Sequence, residues 1–244
     1  MWRAVRDLAA GEVAAWGLPG DRTCAGFARG AVGELLGGLR IAPETVRDAQ
    51  TMVSEAATNA YEHAQLPPGV PGGWELWAFR AGRGVVCGVF DPVPGKPLPA
   101  RPVRPDPFQV HGRGLAILQE LSRGAWGVHL TRGQLGGHVP GKVVWFRCPA
   151  VVALPVPLPR GEAEMARTLR DRLRARGVQG TILASCPQMA CVSVCRGLDV
   201  WCRDGRFFIR EAARSSVWAG EERAAVVEHA VRRYEEIRSF PARA

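Results

Sequence analysis

Residues 51–64, TMVSEAATNAYEHA, constrain this chain more than any other stretch of its sequence. Apolar residues recur in and just before this stretch at steps of three and four, which predicts one buried face of an α-helix. A neighbouring face carries Glu55, Asn59 and His63, each four residues apart, so these side chains form one polar column. Such a column can ligate a metal, position a water or accept a proton. The alternative is an ordinary solvated face, because polar columns are common on amphipathic helices.

Two later segments add weight to the first interpretation. Residues 85–91, VVCGVFD, form an apolar run that ends in the carboxylate of Asp91. Residues 111–115, HGRGL, form a Gly-x-Gly turn that leads into the helical run LAILQEL. Glycine lets a backbone approach a phosphate closely, and a helix start presents unpaired N–H groups to it. The alternatives are plain turn glycines and, for Asp91, a turn residue before proline.

Together, the E-x-x-x-N column, the strand-terminal Asp and the G-R-G-L-A turn resemble the N, G1 and G2 boxes of the GHKL ATP-binding fold. Residues 53–64 are similar to the N box of bacterial anti-sigma-factor serine/threonine kinases and of related actinobacterial ATP-binding proteins. The resemblance covers roughly residues 21–147. It implies an α/β fold: a two-layer GHKL (Bergerat) sandwich whose mixed, mostly antiparallel sheet carries helices on one face.

The resemblance also implies ATP and Mg²⁺ as cofactors and a role for each motif residue. The catalytic residue would be Glu55, acting as a general base one helical turn before the metal ligand. Asn59 would hold Mg²⁺, since a carboxamide oxygen is a hard ligand. Asp91 would accept a hydrogen bond from the adenine amino group. The remaining nucleotide-binding residues would be Gly112, Arg113, Gly114 and Leu115. One departure is Val93, which stands where the G1 box usually has glycine.

The resemblance implies an ATP-dependent protein kinase that phosphorylates Ser or Thr, with a sigma factor or an anti-anti-sigma-like protein as partner. The alternative is a non-catalytic module in which bound ATP orders a partner-binding surface. A histidine-kinase fragment is disfavoured, because no phosphoacceptor-type helical hairpin precedes the ATP-binding motifs. A homodimer is possible, since the first helix of such kinases contributes to packing or dimer contacts.

Composition excludes other classes of protein. The 244 residues are 47% hydrophobic and 23% charged, which is ordinary for a globular chain. The net charge of +9 comes from dispersed arginines without a basic block that contains aromatic residues, so specific nucleic-acid binding is not indicated. No apolar run approaches the ~18 residues of a membrane span, and the N-terminus lacks a signal-peptide core, so we expect a cytoplasmic protein. The seven cysteines are scattered, and those at 186–202 contain no C-x-x-C pair; buried thiols are favoured over a zinc site.

Proline-rich segments divide the chain. We predict an ATP-binding domain at residues 1–149 with its core at 21–148, a linker at 150–160, and a small α+β domain of unknown function at 161–244. Residues 1–20 are expected to form a short helical or loose lead-in. The proline-rich segment 92–110 would be the lid over the nucleotide, or else a surface excursion.

Overall fold

The computed structural model describes residues 3–5, 8, 12–63, 73–82, 84–92, 114–135, 139–148, 161–186, 188–211 and 214–239. The predicted linker at 150–160 and nearly all of the predicted lid at 92–110 lie outside these residues.

The first part of the chain forms a six-stranded sheet with helices packed on it. Its strand order is β1-β2-β3-β4-β6-β5, and every described pair of neighbouring strands is antiparallel. This is the α/β, mostly antiparallel GHKL-type fold expected from the sequence. The elements are β1 (Arg3–Val5), β2 (Val13–Gly17), α1 (Cys24–Gly38), α2 (Pro43–His63), β3 (Glu75–Ala81), β4 (Gly84–Asp91), α3 (Gly114–Leu121), β5 (Trp126–Arg132) and β6 (Pro140–Cys148).

The second part of the chain forms a five-stranded antiparallel sheet in the order β11-β10-β9-β8-β7. Its helices and strands form the small α+β unit that the sequence predicts, and they include an edge strand, β11, that the sequence did not predict. The position of the boundary between the two parts stays a prediction. The elements are α4 (Glu162–Ala175), β7 (Ile182–Cys186), β8 (Met189–Cys195), β9 (Leu198–Arg203), β10 (Arg206–Glu211), β11 (Arg214–Ala219) and α5 (Arg223–Ser239).

The N-terminal segment corrects one expectation, because it forms strands rather than a helical or loose lead-in. Strand β2 pairs with β3 in a register that sets Ala15 opposite Trp77. Ala14, Ala15 and Trp16 are buried there. An alanine-rich run has high helix propensity, but tertiary pairing overrides such local preference. Here the ladder hydrogen bonds and the burial of Trp16 decide the conformation.

The helices α1 and α2 cover one face of the first sheet. The predicted stripe of α2 is buried as the helical period requires, including Val53, Ala56, Ala57 and Ala60. These small side chains let α2 lie close to β4 and to α1. Fixing α2 in this way determines where its polar column stands relative to the sheet.

The other face of the first sheet is covered by α5, which comes from the second part of the chain. Ala224 and Ala225 of α5 pack with Phe79 and Val86 of that sheet. Val226 and several later residues of α5 belong instead to the core of the second sheet. A helix that is apolar on opposite sides is buried between two layers. The helix α5 therefore joins the two sheets.

Two further findings concern metals and membranes. Among the described residues, no three or more His, Cys, Asp or Glu side chains group together as metal ligands would. Within the same residues, no helix is both long enough and apolar enough to cross a membrane.

Candidate functional site

The polar column of α2 stands at the edge of its buried stripe. Glu55 and Asn59 are both half-buried, because they flank the alanines that pack against the sheet and α1. His63 lies in the last turn of the helix and is exposed. The structure thus separates the predicted column into a sheltered pair and an exposed imidazole.

The start of α3 lies directly against this sheltered pair. A Cβ atom added to Gly114 would lie 2.9 Å from Asn59 Nδ2 and 3.0 Å from Glu55 Oε2. At such distances the ends of the Asn59 and Glu55 side chains would have to shift, so glycine is what leaves them in their present positions against α3. The N–H groups of the first helical turn have no partner within the helix, and the helix dipole makes this end positive. Leu115, the second residue of α3, is half-buried.

Asp91 ends β4 and points to the same side of the sheet as α2. Alternation along β4 puts Cys87 and Val89 in the core beneath α1 and α2, and Asp91 continues that series. Its carboxylate is buried at 4% exposure and forms an ion pair with Lys142, with 2.8 Å between Oδ2 and Nζ. Lys142 is the residue opposite Asp91 on β6, so the register of the two strands creates the pair.

Gly141, which precedes Lys142 on β6, allows β6 to pack closely against the backbone of Asp91. A side chain at Gly141 would collide with the backbone oxygen of Asp91 and would come within 2.7 Å of the ring of Phe90. Gly141 and Gly114 therefore play the same structural role at two places. Each removes a side chain where backbone must approach a residue of the site.

The predicted site residues are therefore partly brought together. Glu55, Asn59 and Gly114 meet at one point, and Asp91 reaches the same side of the sheet from β4. Gly112 and Arg113, like Val93, lie outside the described residues. Lys142 was missed by the sequence analysis. A lone lysine that opens the apolar run VVWF of β6 was the available signal, and only the strand register shows its partner.

The chemistry of these groups suits a magnesium nucleotide. A carboxamide oxygen and a carboxylate are hard ligands of the kind that Mg²⁺ accepts, and Mg²⁺ usually takes its remaining ligands from phosphates and water. The positive start of α3 and the ammonium of Lys142 favour an anion on this side of the sheet. The residues present thus fit both Mg²⁺ and a polyphosphate.

Comparison with known proteins supports the same type of fold. A family model described as a histidine kinase-like ATPase domain matches residues 4–140, which is more than half of the chain. The matched segment contains Glu55, Asn59, Asp91 and the start of α3. No curated protein matches the chain.

Proposed function

The chain belongs to the family of histidine kinase-like ATPase domains, and from this premise we propose that it is an ATP-dependent serine/threonine protein kinase. The domain type is an ATP-binding, kinase-like ATPase domain of the GHKL fold. The proposal adds that the γ-phosphoryl group of ATP passes to a Ser or Thr hydroxyl of a protein, as in the anti-sigma-factor kinases that the motifs resemble.

The observation that carries this proposal is the meeting of Glu55, Asn59 and Gly114. Phosphoryl transfer depends on positioning and on stabilising charge, so it needs a phosphate-binding turn beside a metal ligand and a base. The start of α3 supplies unpaired N–H groups for phosphate oxygens. Glu55 lies one turn from Asn59 and, like it, next to Gly114. In this proposal Glu55 orients the acceptor hydroxyl and takes its proton.

Asn59 would hold the magnesium ion, which would neutralise phosphate charge when bound. Asp91 would accept a hydrogen bond from the adenine amino group. Lys142 would hold that carboxylate in a fixed direction through their ion pair. Gly112 and Arg113 complete the proposed nucleotide-binding set by sequence position.

For the partner we propose a sigma factor or an anti-anti-sigma-like protein, and for the assembly a homodimer that uses α1. The second candidate function is a nucleotide-gated binding module without transfer. Val93, which stands where the G1 box usually has glycine, supports that candidate, because a β-branched residue lacks the backbone freedom of glycine.

The deciding experiment measures phosphoryl transfer and ATP binding in the same samples. The protein is incubated with γ-labelled ATP, Mg²⁺ and purified anti-anti-sigma-type acceptors, and ATP affinity is measured by calorimetry. We expect Glu55→Gln to lower the transfer rate about 10²- to 10⁴-fold while ATP binding persists. Glu62→Gln is the matched control, because Glu62 is an exposed carboxylate on the same helix.

Three outcomes separate the possibilities. Transfer that is lost in Glu55→Gln and retained in Glu62→Gln supports the kinase. ATP binding without transfer to any acceptor supports the gated module. Equal transfer by Glu55→Gln and the unmodified protein would exclude Glu55 as the base.

A further inference from the structure

A cavity lies on the side of the first sheet that faces away from the candidate nucleotide site. Its volume is about 150 Å³, and it opens to solvent between the sheet on one side and α5 with the end of β11 on the other. The α5 residues that line it are Ala225, Glu228, His229 and Arg232, whose spacing places them on one helical face. The cavity therefore belongs to the seam that joins the two parts of the chain.

The walls of this cavity are mainly aromatic. Trp77, Phe79, Trp145 and Trp218 all line it. Trp77 and Phe79 are buried, whereas Trp145 and Trp218 are half-buried. Gly88, in the middle of β4, leaves the floor without a side chain; a Cβ there would lie 2.8 Å from Val143 Cγ2. A space of this size and lining suits a single flat aromatic ring, because an apolar cavity of about 150 Å³ holds a benzene-sized molecule.

The polar side chains that line the cavity favour an anionic ligand over a cationic one. Glu228 is the carboxylate among them, and both of its oxygens are already bound. Its Oε1 accepts from His129 and Thr131, and its Oε2 accepts from Arg176 at 2.9 Å. Two guanidinium groups remain in the lining. A cationic ligand would thus find no carboxylate oxygen without a partner, and an anionic one would find positive charge.

Of these two arginines, Arg147 is the better anchor. Arg232 forms an ion pair with Glu236 at 2.7 Å. Arg147 is exposed, and it forms no ion pair with any carboxylate of the described residues. His129 adds a second polar group: its Nε2 donates to Glu228, and its buried Nδ1 has no hydrogen-bond partner among the residues that the structure describes.

We propose that this cavity is a binding site for a small aromatic carboxylate, with the ring among the tryptophans and the carboxylate at Arg147. The site is distinct from the nucleotide site, since it lies on the opposite face of the sheet. It does not depend on the proposed kinase activity. The ion pair with the guanidinium supplies the selectivity for the anion, and the aromatic walls supply the area that the ring buries.

The test titrates the full-length protein with three one-ring probes: benzoate, toluene and benzylammonium. Binding is followed through the indole N–H signals of the tryptophans in NMR spectra, assigned by single Trp→Phe variants. We expect benzoate to bind most tightly and to shift the signals of Trp145 and Trp218. The signals of Trp74, in the core on the helix side, and of Trp201, on the second sheet, should stay in place.

Two variants and one control test where the carboxylate and the ring of benzoate bind. Arg147→Gln should weaken benzoate binding about tenfold and leave toluene binding unchanged, since a hydrogen bond to a charged group is worth about that factor. Arg232→Gln, the matched control, should leave the affinity for benzoate nearly unchanged. Ala225→Phe should fill the space and abolish binding of benzoate and toluene alike.

The proposal is overturned if benzoate shifts neither Trp145 nor Trp218, or if Arg147→Gln binds benzoate as the unmodified protein does. Should Ala225→Phe fail to fold, the comparison of Arg147→Gln with Arg232→Gln decides the matter, because both replace side chains at the solvent edge. ATP affinity, measured on every variant, shows that the first sheet remains intact.

Discussion

At the scale of single residues, Glu228 is a buried carboxylate that is held by three polar side chains. It is buried in α5, which would by itself raise its pKa, but the Arg176 guanidinium, His129 and the Thr131 hydroxyl outweigh burial and lower its pKa to about 2. Arg176 also donates to the backbone oxygen of Arg132. One carboxylate thus connects α5 with β5 and with the end of α4.

The first prediction follows from this environment. Glu228→Gln should lower the free energy of unfolding by about 3 kcal/mol at pH 7, because it leaves the buried Arg176 without its counter-charge. A depressed pKa in the folded state means that the stabilisation by Glu228 is complete above its unfolded pKa of about 4.3 and disappears as pH falls towards 2. The difference between variant and unmodified protein should therefore shrink from about pH 4.5 downwards. Urea unfolding of both proteins at a series of pH values measures this difference in the free energy of unfolding.

The control is Glu34→Gln, which removes an exposed carboxylate from α1. Its effect should stay within about 0.5 kcal/mol across the same pH range. A constant difference between Glu228→Gln and the unmodified protein from pH 7 to pH 3 would contradict the assigned ion-pair network.

At the scale of secondary-structure elements, the approach of α3 to α2 decides whether a site forms. Gly114 is the contact residue, and any side chain there meets Asn59 and Glu55. We predict that Gly114→Ala weakens ATP binding at least about tenfold, because the added methyl group displaces the side-chain ends of Asn59 and Glu55 from their positions in the site. Calorimetric titration with ATP and Mg²⁺ provides the measurement.

Gly30→Ala in α1 is the matched substitution, because nothing lies within 4 Å of a Cβ added at Gly30. It should leave ATP affinity unchanged and raise stability by about 0.5–1 kcal/mol, the usual gain when alanine replaces glycine inside a helix. Equal ATP affinities for Gly114→Ala and Gly30→Ala would show that the start of α3 does not contribute to the site.

At the scale of the whole molecule, the two sheets share a helix. Because α5 packs in both cores, we predict that the chain unfolds in one cooperative transition. Trp→Phe substitutions can separate the fluorescence of Trp77, in the first sheet, from that of Trp201, in the second. Both fluorescence changes should coincide with the loss of helical circular dichroism. Two separated transitions would contradict a shared core.

The parts of this architecture that the sequence predicts are those with a local signal. The helix α2 follows from its apolar period. The resemblance to the N and G2 boxes predicts that Glu55 and Asn59 lie near Gly114, and in the structure these residues are in contact. Strands β1, β2 and β11 were missed, because their conformation depends on partners distant in sequence. The docking of α5 and the Asp91–Lys142 pair were missed for the same reason: strand register and layer packing are properties of the assembled chain.

The most direct test of the central claim is the Mg²⁺ dependence of nucleotide binding in Asn59→Ala. Titration of a non-hydrolysable ATP analogue, with and without Mg²⁺, should show at least about tenfold tighter binding with the metal in the unmodified protein. Asn59→Ala should lose that difference, because the proposed ligand is gone. If Asn59→Ala binds the analogue with the same affinity and the same Mg²⁺ dependence as the unmodified protein, the nucleotide does not lie between α2 and α3, and the account is wrong.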